Sequence, residues 1–198
     1  MIDKIVNSIH TFFIQNIDLE ETDSIKLKYT LQVIISELSK VIILLIIFSF
    51  IGKRIYLVYS IITLLSIRIF TGGLHFKTYN GCLISSCFFF LIILIASINV
   101  PLNSLILVTL FVFTIISVIF LAPIPSKSRP MYSTPKIIKF KILGILSILL
   151  HYLLYLINNE ALYATNSIWV LAFQALQLII GKGVFLYENK RLKLQKGN

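Results

Sequence analysis

Phe88-Phe89-Phe90-Leu91-Ile92-Ile93-Leu94-Ile95-Ala96-Ser97-Ile98-Asn99-Val100-Pro101-Leu102-Asn103-Ser104-Leu105-Ile106-Leu107-Val108 is the stretch that decides the fold class. The apolar run on its left begins near Cys82, the one on its right continues to about Ala122, and neither contains a charged residue. A bilayer's hydrocarbon core requires about 20 apolar residues per helix, so 82–100 and 102–122 read as two successive transmembrane helices. Pro101 cannot continue a helical hydrogen-bond ladder and Asn103 suits a turn, which predicts a tight connection and an antiparallel hairpin of these two spans.

Working outward, the same pattern recurs. A first span is expected over about 31–51, a second, short one over 55–70, a fifth over 138–157 and a sixth over 162–180. With 58% hydrophobic residues, 13% charged residues and a mean hydropathy of +0.93, the 198-residue chain lies outside the balance of soluble domains. The fold class is therefore an all-α integral membrane protein, one membrane domain over 1–198 with six transmembrane helices. Residues 1–17 add an N-terminal amphipathic helix: Ile2, Ile5, Val6, Ile9, Phe12 and Phe13 recur at helical spacing, with Asp3, Lys4, Asn7, Ser8 and His10 mostly opposite. Acidic residues in the first 30 positions argue against a cleaved leader. Residues 183–198 form a basic tail.

The net charge of +10 suggests nucleic acid at first sight, but the cations lie between and after apolar runs rather than along a soluble face. No nucleic-acid partner is expected; the bilayer is. With six spans and an inside N-terminus, fifteen of the 18 Lys and Arg residues fall in inside segments, only Lys53 and Arg54 fall outside, and Lys40 lies within the first span. The positive-inside bias then puts the segment around 75–82 at the cytoplasmic face. Cys82 and Cys87, five apart, point in different directions on a helix and do not suit a disulfide.

Between the second and third spans the chain gathers polar chemistry: Arg68-Ile69-Phe70-Thr71-Gly72-Gly73-Leu74-His75-Phe76-Lys77-Thr78-Tyr79-Asn80-Gly81-Cys82. A thiol attacks as thiolate and needs a base within hydrogen-bond reach; His75 and Cys82 can form that pair. On a straight helix they would stand about 10 Å apart along the axis, so the chain must bend between them. Gly72, Gly73 and Gly81 allow bends, and Gly81 puts Cys82 in the first turn of the third span, where the helix dipole favours a thiolate and exposed N–H groups can serve an oxyanion. The alternative is an ordinary buried cysteine beside an interfacial histidine. Ser85 and Ser86 read as packing residues or supports of the site, not nucleophiles. Glu37 either pairs with Lys40 on its own helix or faces the bundle and meets Arg68, since an arginine in an apolar helix calls for a partner. His75 with two ill-placed cysteines falls short of a zinc site, so neither metal nor other cofactor is expected. His151, inside the fifth span, reads as a hydrogen-bonded packing residue.

The pattern Arg-x3-Gly-Gly-x-His-x6-Cys, here Arg68, Gly72, Gly73, His75 and Cys82, resembles the accessory gene regulator B (AgrB) family of membrane cysteine endopeptidases. The likeness extends over the whole chain in length, span number, amphipathic N-terminus and the Pro-and-Lys loop 123–136. It implies a bacterial cytoplasmic-membrane enzyme that processes an AgrD-type quorum-sensing propeptide, with Cys82 as nucleophile and His75 as base, Arg68 and Gly73 at positions tied to activity, and a homodimeric assembly. The C-terminal part of the propeptide would be removed as Cys82 takes the acyl group, and an internal Cys or Ser of the peptide would then close a thiolactone or lactone. The loop cations Lys127 and Arg129 would meet the acidic end of the propeptide. A competing reading is a small peptide permease or exporter without peptidase activity, with Arg68, Glu37 and His75 along a polar path.

Overall fold

A computed structural model of the protein describes residues 2–17, 20–74, 76, 78–124 and 132–196. Among the described residues there are seven helices: α1 (Ile2–Asn16), α2 (Glu21–Phe50), α3 (Arg54–Thr71), α4 (Tyr79–Asn99), α5 (Ser104–Leu121), α6 (Thr134–Ile157) and α7 (Leu162–Lys196). Six of them, α2 to α7, are long and apolar enough to cross a membrane, and no strand occurs among the described residues. The chain is an all-α membrane protein.

Two compact units divide the chain, Met1–Arg54 and Ile55–Asn198. In the first, α1 lies on α2: Val6 is buried, the His10 Nε2 is 3.1 Å from both the carbonyl oxygen and Oγ of Ser24, and the Gln32 carboxamide donates to Asp3 at 3.3 Å. The acidic residues Glu21 and Asp23 occupy the first turn of α2, where the partial positive charge of a helix N-terminus favours them. Of the two partners open to Glu37, the one seen is Lys40, whose ammonium donates to Glu37 Oε1.

The second unit is built on α7, against which α4, α5 and α6 pack. Its inner face carries Ala164, Ile168, Leu171, Ala175 and Leu178, each exposed by 1% or less. Small and polar side chains then tie α3 to this centre. Asn166 donates to Ser60 Oγ at 2.8 Å and to the Tyr56 carbonyl at 3.2 Å and accepts from Ser97 of α4, while Thr63 and Ser167 share a 2.9 Å hydrogen bond. Ser66 lies 2.9 Å from His151 Nε2 and 3.1 Å from Ser147 Oγ, so His151 is buried in a hydroxyl setting on α6. Such interhelical bonds stand in for the hydrophobic effect, which lipid tails cannot supply between helices.

One sequence expectation does not hold. α4 and α5 are joined by only 100–103, yet neither is the other's main neighbour; each takes α7 as its packing partner. The short turn sets where α5 starts, and the apolar face of α7 sets where both helices lie. α7 continues as one helix through Lys196 and so takes in most of the basic tail.

Candidate active site

The last turn of α3 carries Arg68 and ends at Thr71, leaving carbonyl groups without intrahelical donors. In an apolar medium each of these needs a partner. The Ile124 amide donates to the Thr71 carbonyl at 3.0 Å, and the Gln174 carboxamide of α7 donates to the Gly72 carbonyl at 2.8 Å and to Thr71 Oγ1 at 3.1 Å. One step further on, the Arg68 guanidinium folds back and donates to the Leu74 carbonyl at 2.8 Å. The turn after α3 is thus fixed from three directions, by α7, by the segment after α5 and by its own arginine.

The three glycines of the central stretch serve different ends. Gly72 adopts φ +75°, the left-handed region that ends helices and disfavours a Cβ. Gly73 is not in that region; a Cβ there would lie 2.8 Å from Arg68 Nε and 3.0 Å from its Cζ, so its role is to let the guanidinium lie flat against the chain. Gly81 gives clearance too, because a Cβ on it would meet the Thr78 hydroxyl at 2.8 Å. Of the bends expected from glycine, only that at Gly72 uses positive φ.

Thr78 is the N-cap of α4: its side chain accepts from the Gly81 amide at 3.2 Å, and its carbonyl accepts from the Cys82 amide at 3.1 Å. Cys82 therefore sits in the first turn of α4, as its place after Gly81 predicts. Of the first-turn donors expected there, two are taken. The amides of Gly81 and Cys82 are already bonded within the cap and are not open to an oxyanion.

Cys82 opens on a small cleft whose wall is made by Arg68, Leu74, Phe76, Ser85, Ser86 and Gln177, over a floor that includes Leu64, Phe89 and Phe90. The expected supporting residues Arg68, Ser85 and Ser86 are thus brought together with Cys82, while Gly72 and Gly73 hold the turn that carries Leu74. Glu37 belongs to the other unit and pairs with Lys40. His75, Lys127 and Arg129 lie outside the described residues. Cys87 is one and a half turns deeper in α4, and neither cysteine forms a disulfide.

Two residues of this neighbourhood escape a reading by motif, Gln174 and Gln177. Both are carboxamides in an apolar span, three apart and so on one helix face, which is itself a signal because polar groups in a membrane helix are costly unless they have work to do. Gln174 is fully buried and holds the Thr71–Gly72 end of α3.

Fold and site together define a polytopic helical membrane protein with a cysteine at a helix start, in a cleft beside an arginine-pinned glycine turn. Comparison with known proteins refines this class. The family described as AgrB, accessory gene regulator B, matches residues 2–178. A curated protein of Clostridium beijerinckii named "Putative AgrB-like protein" is 34% identical over 183 residues, which is 91% of this chain and 89% of that protein. No solved structure matches. The chain belongs to the AgrB family, a family of membrane cysteine peptidases in the accessory gene regulator quorum-sensing system.

Proposed function

We propose that this protein is a cysteine endopeptidase that cleaves the C-terminal part from an AgrD-type propeptide at the cytoplasmic face of the membrane, with Cys82 as nucleophile and His75 as general base. The observation that carries the reading is the position of Cys82 in the first turn of α4, opening on a cleft that Arg68 also lines. A cysteine retained only for packing has no need of a polar, arginine-bearing cleft; a thiolate nucleophile does. Kinship supports the remainder: the propeptide class, the pairing of His75 with Cys82 and a homodimeric assembly.

In this reading His75 takes the thiol proton, the Cys82 sulfur attacks the scissile carbonyl, and the C–N bond breaks as the imidazolium returns the proton to the leaving amine. The thioester left on Cys82 keeps the energy of the acyl bond. An internal Cys or Ser of the peptide then displaces the Cys82 sulfur and closes the thiolactone or lactone ring. Hydrolysis would discard that energy, so water must be excluded; the apolar floor of Leu64, Phe89 and Phe90 suits this need. The cytoplasmic orientation rests on the positive-inside distribution, and a role for Lys127 and Arg129 in meeting the acidic propeptide end rests on their charge.

The test is a trap. With a propeptide whose ring-forming residue is replaced by alanine, the acyl group cannot be passed on and should accumulate on the enzyme. Intact-mass measurement should find the adduct on the parent and on Cys87→Ala, none on Cys82→Ala, and much slower formation on His75→Ala. An adduct that persists in Cys82→Ala would refute the assignment.

A further inference from the structure

Attack on a peptide carbonyl places negative charge on its oxygen, and enzymes meet that charge with donors aimed at it in advance. In cysteine hydrolases the first-turn amides beside the nucleophile are the obvious source. Here the Gly81 amide is held by the Thr78 hydroxyl and the Cys82 amide by the Thr78 carbonyl. The Arg68 guanidinium is drawn back onto Leu74, with Gly73 cleared to receive it. With these two amides engaged, a side-chain donor on the cleft wall can take their place.

Gln177 stands on that wall, contributed by α7 opposite the start of α4. Its Oε1 is fully buried and has no hydrogen-bond partner among the described residues. A polar side-chain atom enclosed without a partner is uncommon in folded proteins and calls for an explanation. Three residues back along the same face, Gln174 also leaves its Oε1 without a partner among the described residues but spends its amino group on the Thr71–Gly72 turn, whereas Gln177 lines the nucleophile's cleft.

We propose that Gln177 is a catalytic residue that grips the substrate residue whose carbonyl Cys82 attacks, donating from Nε2 to the carbonyl oxygen and accepting that residue's own N–H on Oε1. The inference rests on the assignment of Cys82 as nucleophile. In an extended chain the N–H and C=O of one residue point to the same side and can exchange two hydrogen bonds with a single partner; a carboxamide, with one acceptor and two donors, fits that pair. As the thiolate sulfur bonds to the carbonyl carbon, the C=O π pair moves onto oxygen and the Nε2–H bond shortens against the developing charge. When the pair returns, the C–N bond breaks and the amine leaves with the proton held by the imidazolium. The carboxamide neither gains nor loses a proton. Gripping the N–H also requires an extended substrate backbone at the cleavage point, so a proline there, which has no N–H, should be rejected.

The experiment measures the single-turnover rate of acyl-adduct formation in proteoliposomes for the parent, Gln177→Met and Gln177→Glu, with thermal unfolding recorded for each. Removal of one oxyanion donor typically slows the chemical step about 10²- to 10³-fold, and Gln177→Met should fall in that range with substrate affinity changed far less. Gln177→Glu keeps an acceptor but donates only when its carboxyl is protonated. Its rate relative to the parent should therefore rise roughly tenfold as pH falls from 8 to 5.5, a response that lost packing cannot produce. A Gln177→Met rate equal to the parent's overturns the proposal and leaves Cys82 as nucleophile untouched. Equal losses in both variants at every pH make Gln177 a packing residue and overturn it too. No adduct on the parent would remove the Cys82 assignment and the proposal together.

Discussion

On the C-terminal side of α4 the chain turns mainly by its own means: the Val100 amide donates to the Ala96 carbonyl, the Asn103 amide to that of Pro101, and the Asn103 side chain accepts from the Ile106 amide at 2.8 Å. These three partners are at most four residues away, and one distant donor joins them, the Tyr155 hydroxyl of α6, which bonds the Leu102 carbonyl at 3.2 Å. On its N-terminal side the chain turns with help from afar. Thr71 and Gly72 take donors from Ile124 and Gln174, and a Cβ on Gly181 of α7 would meet Ile124 Cδ1 at 2.8 Å, so α7 closes on the same knot. A turn closed mainly by near neighbours depends little on where the other helices lie. A turn closed by distant helices registers where those helices are, and the cleft is built on it.

That contrast can be broken most directly at Gly73. In Gly73→Ala the new methyl would sit within 3.0 Å of the Arg68 guanidinium, which must move. Since a misplacement of about 1 Å in a catalytic constellation costs roughly 10²-fold, acylation by the trapping assay should fall by about that factor while the helical content by circular dichroism stays the same. A rate within twofold of the parent would mean that Arg68 is free to move without effect.

Arg68→Lys should act in the same direction and less strongly, by about tenfold, because the ammonium keeps the charge and loses the planar fork that reaches the Leu74 carbonyl. Parental rates would reduce the residue to a point charge. Gly72→Ala changes stability first: a left-handed alanine costs about 1–2 kcal/mol, and its Cβ would lie 3.2 Å from the Ile124 carbonyl oxygen. A lower unfolding temperature in detergent is the expected result, and an unchanged one would place the strain elsewhere.

The smallest effect belongs to the local turn. Asn103→Ala removes an N-cap and should cost about 1 kcal/mol, with the acylation rate of the surviving protein unaltered. Should this variant slow acylation as much as Gly73→Ala does, the two turns are not separable and the distinction between them fails.

Much of this was legible along the chain because the bilayer permits so few solutions. Uncharged runs such as 104–121 have to be helices, as every backbone N–H and C=O in lipid must be paired within its own segment. Cys82 could be placed in a first turn because Gly81 precedes it and Thr78 caps it locally. The Glu37–Lys40 pair, three residues apart on one helix, was one of two open choices, and helical spacing alone could have produced it. The α4–α5 hairpin was misread because a short connection constrains two ends and says nothing of which face each helix buries.

By itself, then, the sequence determined the all-helical membrane class, the helix on which the cysteine begins and the family to which the chain belongs, since these depend on hydrophobic length, local capping and residue spacing. Only the tertiary structure decided that Ile124 and Gln174 hold the end of α3 and that Gln174 and Gln177 of the last span reach the turn and the cleft. The physical reason is range. Capping and burial length act over a few neighbouring residues and can be read along the chain, whereas the partners of the Thr71–Gly72 turn and of the cleft around Cys82 come from segments about 50 to 100 positions away, which meet only once α7 is packed.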